Sequence, residues 1–382
     1  MKDRGSVRRP GNVQVLDRDN NMLVLRPDMT PAVARCVAKY FMDDDMPLRL
    51  CYLERTFKNN TSYQGYLKER AESGAELIGD DSPDADAEMI AMVIDCLKAA
   101  GLKEFQVELG EVAFYRSLLQ QSGLDEDAQA QLNDLIENKN RFGVEEFLKN
   151  QDMEESLKEA FLKLPELFGG INQIKKAKAL TDNPQALAAI ERLERVHTLL
   201  EEYHMADYVS YDLGMLSRYQ YYTGIIFKAY TYGTGDYIVT GGRYNKLLVQ
   251  FGKDTPAVGF AIVVDQLMAA LSRQQIHIPV QLVNTVILYE PSARQSAVRL
   301  SRFFRSEGTP VQSMVMEEGK SLEDYKGMAK KRGLRTILCL KDTGNTVTAF
   351  DMLTGNVERT LYLHTESGDL IKDPESIKAY WI

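Results

Sequence analysis

The stretch Tyr221-Tyr222-Thr223-Gly224-Ile225-Ile226-Phe227, followed by Thr240-Gly241-Gly242-Arg243-Tyr244, constrains this chain most. It reads as two strands joined by the glycine-rich turn Tyr232-Gly233-Thr234-Gly235-Asp236. The paired tyrosines offer flat apolar walls with polar tips, suited to a small flat ligand. Gly241 and Gly242 remove side chains where a ligand or backbone comes close. Each feature taken alone also has a plain reading: tyrosines packed in a core, glycines in a bulge or turn.

More strand signals lie on both sides of a long helical block. Val13-Gln14-Val15-Leu16 and Met22-Leu23-Val24-Leu25 flank the polar turn Asp17-Arg18-Asp19-Asn20-Asn21 and predict a hairpin. Pro31 opens a helix to about residue 41, with Val33, Val37 and Tyr40 on one face. Strands are expected at 48–54 and 74–78, separated by the polar loop Lys58-Asn59-Asn60-Thr61-Ser62. Ser82-Pro83 starts an amphipathic helix in which Asp84, Asp86 and Glu88 favour the N-terminal dipole. Met89, Ile90, Val93, Cys96 and Leu97 form its apolar stripe, Gly101 ends it, and residues 105–109 make the next strand.

From about 111 to 205 the chain is rich in Leu, Glu, Lys and Gln and poor in β-branched residues, which predicts a helical insertion. Strands resume at 208–211, and residues 259–264 lead into a helix through 271. After a linker at 277–283, the order strand, helix, strand, helix, strand up to residue 340 predicts a small α/β domain with a mainly parallel sheet. The expected domains are 1–277 and 284–382.

At 382 residues, with 44% hydrophobic and 26% charged residues, the chain can bury a sizeable core. A net charge of −9 gives no general attraction to phosphate backbones. Lys330-Lys331-Arg332, and Arg294 with Arg299, read as solvated helix faces among interleaved acids, so no nucleic-acid partner is expected. There is no apolar run long enough to span a bilayer and no signal peptide, so a cytoplasmic protein is expected. Cys36, Cys51, Cys96 and Cys339 lack metal-ligand spacing and sit in apolar runs, so they are expected to be reduced core residues. His197, His204, His277 and His364 are scattered. Neither a metal nor a cofactor is expected.

The ordered motifs resemble histidyl-tRNA synthetases over nearly the whole chain. Leu25-Arg26-Pro27-Asp28-Met29-Thr30 is similar to the segment whose acid and threonine hold the amino acid's ammonium group. Glu54-Arg55 sits in what looks like class II motif 2, and Gly74-Ala75-Glu76-Leu77-Ile78-Gly79 matches the strand that closes it. The segment from Ser217 to Phe227 resembles the histidine-recognition motif, and Pro256-Ala257-Val258-Gly259-Phe260-Ala261 the start of motif 3. The resemblance implies an α+β fold: a class II aminoacyl-tRNA synthetase-like antiparallel sheet flanked by helices, with a helical insertion and a small C-terminal α/β domain. The end of that domain, from Val347 to Gly355, resembles the end of a synthetase anticodon-binding domain. It also implies that Asp28 and Thr30 bind a ligand ammonium, that Glu76 and Tyr244 contact an imidazole, and that Tyr221 and Tyr222 wall the pocket. Glu72 stands where the synthetase has a glutamine. By itself, Asp28 equally suits a turn or cap acid before Pro31, and Glu76 an exposed strand face.

The family's arginines are missing at the decisive positions. Tyr52 stands where class II enzymes place an arginine on the α-phosphate of ATP, Gln266 where they place one on the γ-phosphate, and Ser217 where histidyl enzymes have a catalytic arginine. Phenol, amide and hydroxyl carry no charge to match a phosphate. A lost charged hydrogen bond costs roughly 1.5–3 kcal/mol, and a lost transition-state donor on the order of a hundredfold to a thousandfold in rate. A one-residue register shift, using Arg218 or Lys68, does not account for Gln266.

The chain therefore resembles the ATP phosphoribosyltransferase regulatory subunits, which the segments Tyr221 to Phe227 and Leu164 to Gly170 also fit. That resemblance implies a non-catalytic subunit with histidine as ligand, self-association as a dimer and a short-form catalytic ATP phosphoribosyltransferase as partner. Its role would be to support the first step of histidine biosynthesis and its feedback regulation by histidine. The alternative is a histidyl-tRNA synthetase with an atypical active site. The chain begins close to the first hairpin, without the motif 1 helix and strand that build the class II dimer interface, which points to a shortened start.

Overall fold

The structure, a computed structural model, describes residues 12–41, 43–59, 67–216, 221–276, 278, 284–342, 346–352 and 359–362. Ser217, Arg218 and Gln220, the loop residues Asn60, Thr61 and Ser62, His277, His364 and residues 353–355 lie outside the described residues. The chain divides into two compact units, Met1–Ile278 and Pro279–Ile382.

In the first unit, β1 (Gln14–Leu16) and β2 (Met22–Val24) form the expected antiparallel hairpin. Helix α1 (Thr30–Tyr40) leads to the long strands β3 (Leu48–Phe57) and β4 (Glu69–Ile78). Helix α2 (Pro83–Ala99) and strand β5 (Phe105–Glu111) follow. The helical block comprises α3 (Val112–Ser122), α4 (Glu126–Glu137), α5 (Arg141–Lys149), α6 (Glu155–Lys163), the short β6 (Phe168–Gly169), α7 (Asn172–Lys178) and α8 (Pro184–Glu202). Strands β7 (Val209–Asp212), β8 (Ile225–Thr231), β9 (Val239–Arg243) and β10 (Ala257–Val263) complete the unit with helix α9 (Val264–Arg273).

One eight-stranded sheet runs β3-β4-β10-β9-β8-β5-β7-β6. Its pairs are antiparallel except β5 with β7, which are parallel. Parallel neighbours need a long crossover. The helical block supplies it, so the expected insertion is the connection that makes the sheet mixed. Strands β3 and β4 exceed their expected lengths because paired ladder bonds, from Leu48 opposite Ile78 to Phe57 opposite Glu69, carry the polar residues between.

Side-chain alternation gives the sheet two different faces. Leu77, Phe227, Val258, Phe260 and Ile262 pack into the main core with α2, α3 and α8. Ile78, Ile226 and Ala257 face the other way, against Ala34 and Val37 of α1 and the tyrosines Tyr221, Tyr222 and Tyr244. Helix α2 begins as expected, with the Ser82 hydroxyl accepting from the Ala85 N–H at 3.1 Å.

Two expectations about burial are corrected. Tyr40 is 66% exposed, because α1 buries only Ala34, Val37 and Ala38. Of the four free cysteines only Cys339 is buried. Cys96 is half-buried, Cys36 lies on the outer side of α1, and Cys51 on edge strand β3 is exposed. An apolar run does not reveal which of its residues an edge element leaves uncovered.

The second unit has the expected βαβαβ order: β11 (Thr285–Tyr289), α10 (Arg294–Ser306), β12 (Val311–Val315), α11 (Leu322–Lys331) and β13 (Thr336–Leu340). β12, β11 and β13 are parallel neighbours, and β14 (Thr346–Asp351) and β15 (Arg359–Tyr362) extend the sheet antiparallel. Ile287, Leu338 and Leu340 pack on α10, whereas Val286, Leu288, Ile337 and Cys339 pack with Tyr325 and Ala329 of α11.

Candidate functional site

Register places Glu76 of β4, Gly259 of β10 and Gly242 of β9 side by side. A Cβ on Gly259 would lie 1.6 Å from Glu76 Oε2, so the missing side chain is what lets this carboxylate cross the neighbouring strand. A Cβ on Gly242 would lie 2.8 Å from the Tyr222 ring. Gly241 faces the opposite side, where the Phe227 ring fills its place. Only one of the two adjacent glycines therefore serves the pocket, and the other is a packing glycine of the main core.

Glu76 is 1% exposed. Its Oε1 accepts from Thr30 Oγ1 at 2.9 Å, and its Oε2 accepts from Tyr244 Oη. Asp28 lies above, accepting from Tyr221 Oη at 2.6 Å and from the Thr30 N–H at 3.0 Å. Asp28 is thus both the turn acid before α1 and a pocket group. The Tyr221 and Tyr222 ring centroids are 4.8 Å apart, and Tyr244 meets Tyr221 edge-on at 5.9 Å. Arg116 of α3 donates to the Tyr222 carbonyl at 3.0 Å and ties this wall to the helical block. Beside these groups is a cavity of about 10 Å³ whose lining includes Asp28, Thr30, Glu72, Tyr221, Tyr222 and Tyr244 but not Glu76. That is room for roughly one water. A far larger cavity, about 840 Å³, lies in the helical block around Leu157, Lys163 and Gln173 and gathers none of the expected residues.

Burial pushes the Glu76 carboxyl up to about 8, against the opposing hydrogen bonds from Tyr244 and Thr30. Burial also raises Glu72, opposed chiefly by Lys58, whose Nζ is 4.0 Å away. The Tyr244 phenol is raised by its own burial and then by Glu76 beside it. A pocket walled by phenols and floored by carboxyl groups suits a ligand carrying a cation and N–H donors.

Tyr52 and Gln266, expected from the resemblance to stand at arginine positions, both lie among the described residues. Tyr52 of β3 stands opposite Gly74 of β4, with its ring lying over that glycine. Gln266 occupies the first turn of α9.

Sequence reasoning missed the cluster behind the pocket. Asp86, expected to be a helix-dipole acid, is fully buried between two guanidinium groups. Arg243 Nε reaches its Oδ1 at 2.8 Å, and Arg192 Nε its Oδ2 at 2.8 Å. Arg243, 2% exposed, also donates to the Asp80 carbonyl at 2.9 Å. This cluster pins β9 to the start of α2 and so fixes the flanking pocket residues Gly242 and Tyr244. Its sequence signal was an arginine inside an otherwise small or apolar strand. Among the described residues, no group of three or more His, Cys, Asp or Glu could hold a metal ion, and no helix is long and apolar enough to cross a membrane.

The histidyl-tRNA synthetase family model matches residues 3–267. The ATP phosphoribosyltransferase regulatory subunit of Acetivibrio thermocellus is 36% identical over 329 residues, covering 86% of this chain and 78% of that protein. Its namesake from Ruminiclostridium cellulolyticum is 34% identical over 350 residues, covering 92% and 83%. The chain belongs to the ATP phosphoribosyltransferase regulatory subunit family. A crystal structure from Bacillus halodurans, described as an ATP phosphoribosyltransferase regulatory subunit/histidyl-tRNA synthetase, shares the fold at a TM-score of 0.73 and 32% identity, covering 84% of this chain and 82% of that one. This ATP phosphoribosyltransferase regulatory subunit family member thus keeps the class II synthetase-like sheet.

Proposed function

We propose that the chain is the non-catalytic regulatory subunit of a short-form ATP phosphoribosyltransferase. In that role it supports the first step of histidine biosynthesis and its feedback regulation, and the β4–β10–β9 pocket binds histidine. The observation that supports this reading is the hydrogen-bonded cluster of Asp28, Thr30, Glu76, Tyr221 and Tyr244 on one sheet face, with the uncharged Tyr52 nearby. Asp28 and Thr30 take the ligand ammonium, Glu76 and Tyr244 the imidazole, Tyr221 and Tyr222 stack on it, and Glu72 lines the far side.

The present cavity of about 10 Å³ is too small for an amino acid. Binding therefore selects an opened state in which Tyr221 gives up its 2.6 Å bond to Asp28 and the ammonium takes its place. Self-association as a dimer belongs to the same reading. It is supported by the β1–β2 hairpin, which exposes Leu16 by 66% and Met22 by 63%. The second unit is read as a retained relative of the anticodon-binding domain, and the protein as cytoplasmic.

Three measurements test the proposal. The protein should co-purify with and stimulate a short-form ATP phosphoribosyltransferase, and isothermal titration should show histidine binding. ATP–pyrophosphate exchange with histidine should be absent. Robust exchange would overturn the regulatory reading in favour of an atypical histidyl-tRNA synthetase.

A further inference from the structure

One group beside the pocket has no assigned work. Tyr52 projects from β3 across Gly74, whose added Cβ would lie 2.4 Å from Tyr52 Cζ and Oη. The Tyr52 hydroxyl is buried and makes no hydrogen bond among the described residues. Asp28, Glu72, Glu76 and Tyr222 are all close enough to act on it electrostatically. Buried hydroxyls without partners are rare, and such an orphan marks a place that water or a ligand fills.

Donor arithmetic indicates which ligand group. Thr30 and Tyr244 already donate to Glu76, and Tyr221 moves off Asp28 to admit the ligand. An α-amino acid brings a carboxylate as well as an ammonium, and that anion needs a donor on a floor rich in acids. We propose that Tyr52 Oη donates a hydrogen bond to the α-carboxylate of the bound amino acid and so selects it over the corresponding decarboxylated amine. This rests on the histidine reading of the pocket. One neutral donor suits one carboxylate oxygen, whereas gripping a triphosphate takes fixed positive charge. Tyr52 is therefore a specificity determinant as well as the mark of a lost arginine.

The test is calorimetric titration of the full chain and its Tyr52→Phe variant with L-histidine and with histamine. The variant should lose histidine affinity by about tenfold or more, the effect of removing a hydrogen bond to a charged group. Its histamine affinity should stay within about twofold, well under the 1.4 kcal/mol that a tenfold change represents. Its thermal midpoint should be unchanged or raised, because only an unpartnered hydroxyl is removed. Equal histidine affinity in the variant, an equal loss for both ligands, or a lowered midpoint would each overturn the role of Tyr52. Wild-type protein that binds neither ligand would remove the pocket reading itself, and this inference with it.

Discussion

Glu76→Gln should stabilise the unliganded protein, and increasingly so as pH rises. Glu76 is buried beneath Thr30 and Tyr244, and burial lifts its carboxyl from the ordinary 4.5 up to about 8. Between those values the native state holds a proton that the unfolded chain has released. Stability therefore falls as pH rises: the contribution is complete below about 4.5 and is lost as pH passes through about 8. At about 1.4 kcal/mol per unit, the full span is at most about 5 kcal/mol.

Glutamine reproduces the neutral acid, with one carbonyl acceptor and an N–H donor in the same shape. It has no proton to lose, so its advantage over wild type should grow by roughly 3–4 kcal/mol between about pH 5 and about pH 8. Glu111, also pushed up to about 8 by burial, gives both proteins the same slope and cancels in the difference. Urea unfolding at several pH values, extrapolated linearly to water, supplies the measurement. A difference that does not change with pH, or a glutamine variant less stable than wild type at about pH 8, would refute the assignment of Glu76 as a proton-holding acid.

Other consequences follow from the same geometry. Gly259→Ala places a methyl 1.6 Å from Glu76 Oε2 and 2.8 Å from the Ala75 carbonyl oxygen. It should cost about 1–3 kcal/mol by overpacking and abolish histidine binding, and a variant that titrates like wild type would contradict the pocket. Asp86→Ala strands the buried Arg243 guanidinium and should destabilise the protein by about 3–5 kcal/mol in denaturant unfolding. A loss no larger than that of an exposed ion pair, at most about 1 kcal/mol, would show that Asp86 is not the anchor described. Asp28→Ala should weaken histidine about tenfold to a hundredfold by calorimetry, through loss of the ammonium's charged partner. Unchanged affinity would remove Asp28 from the site.

Local chemistry made the elements legible. Continuous apolar runs marked β10, β11 and β13, and Ser82-Pro83 and Asn183-Pro184 marked the starts of α2 and α8. Polar strand residues such as Arg55, Thr56 and Glu69 gave no apolar signal, because ladder bonds between β3 and β4 hold them. Exposure was equally hidden. Cys51 and Tyr40 sit in apolar surroundings in sequence, but β3 is a sheet edge and α1 buries only one side.

The sequence by itself determined the residue types available to the pocket and the uncharged side chains of Tyr52 and Gln266, because those are matters of composition. Only the tertiary structure decided what each residue does there. Asp28 and Tyr221 are 193 positions apart, yet one phenol donates to the other's carboxylate. Gly241 and Gly242 are adjacent, yet a strand turns successive residues to opposite faces, so one packs the core and the other opens the pocket. Asp86 reads as a surface acid until the fold surrounds it with Arg192 and Arg243. Pairing partners and burial are properties of the assembled sheet, and no local window of sequence contains them.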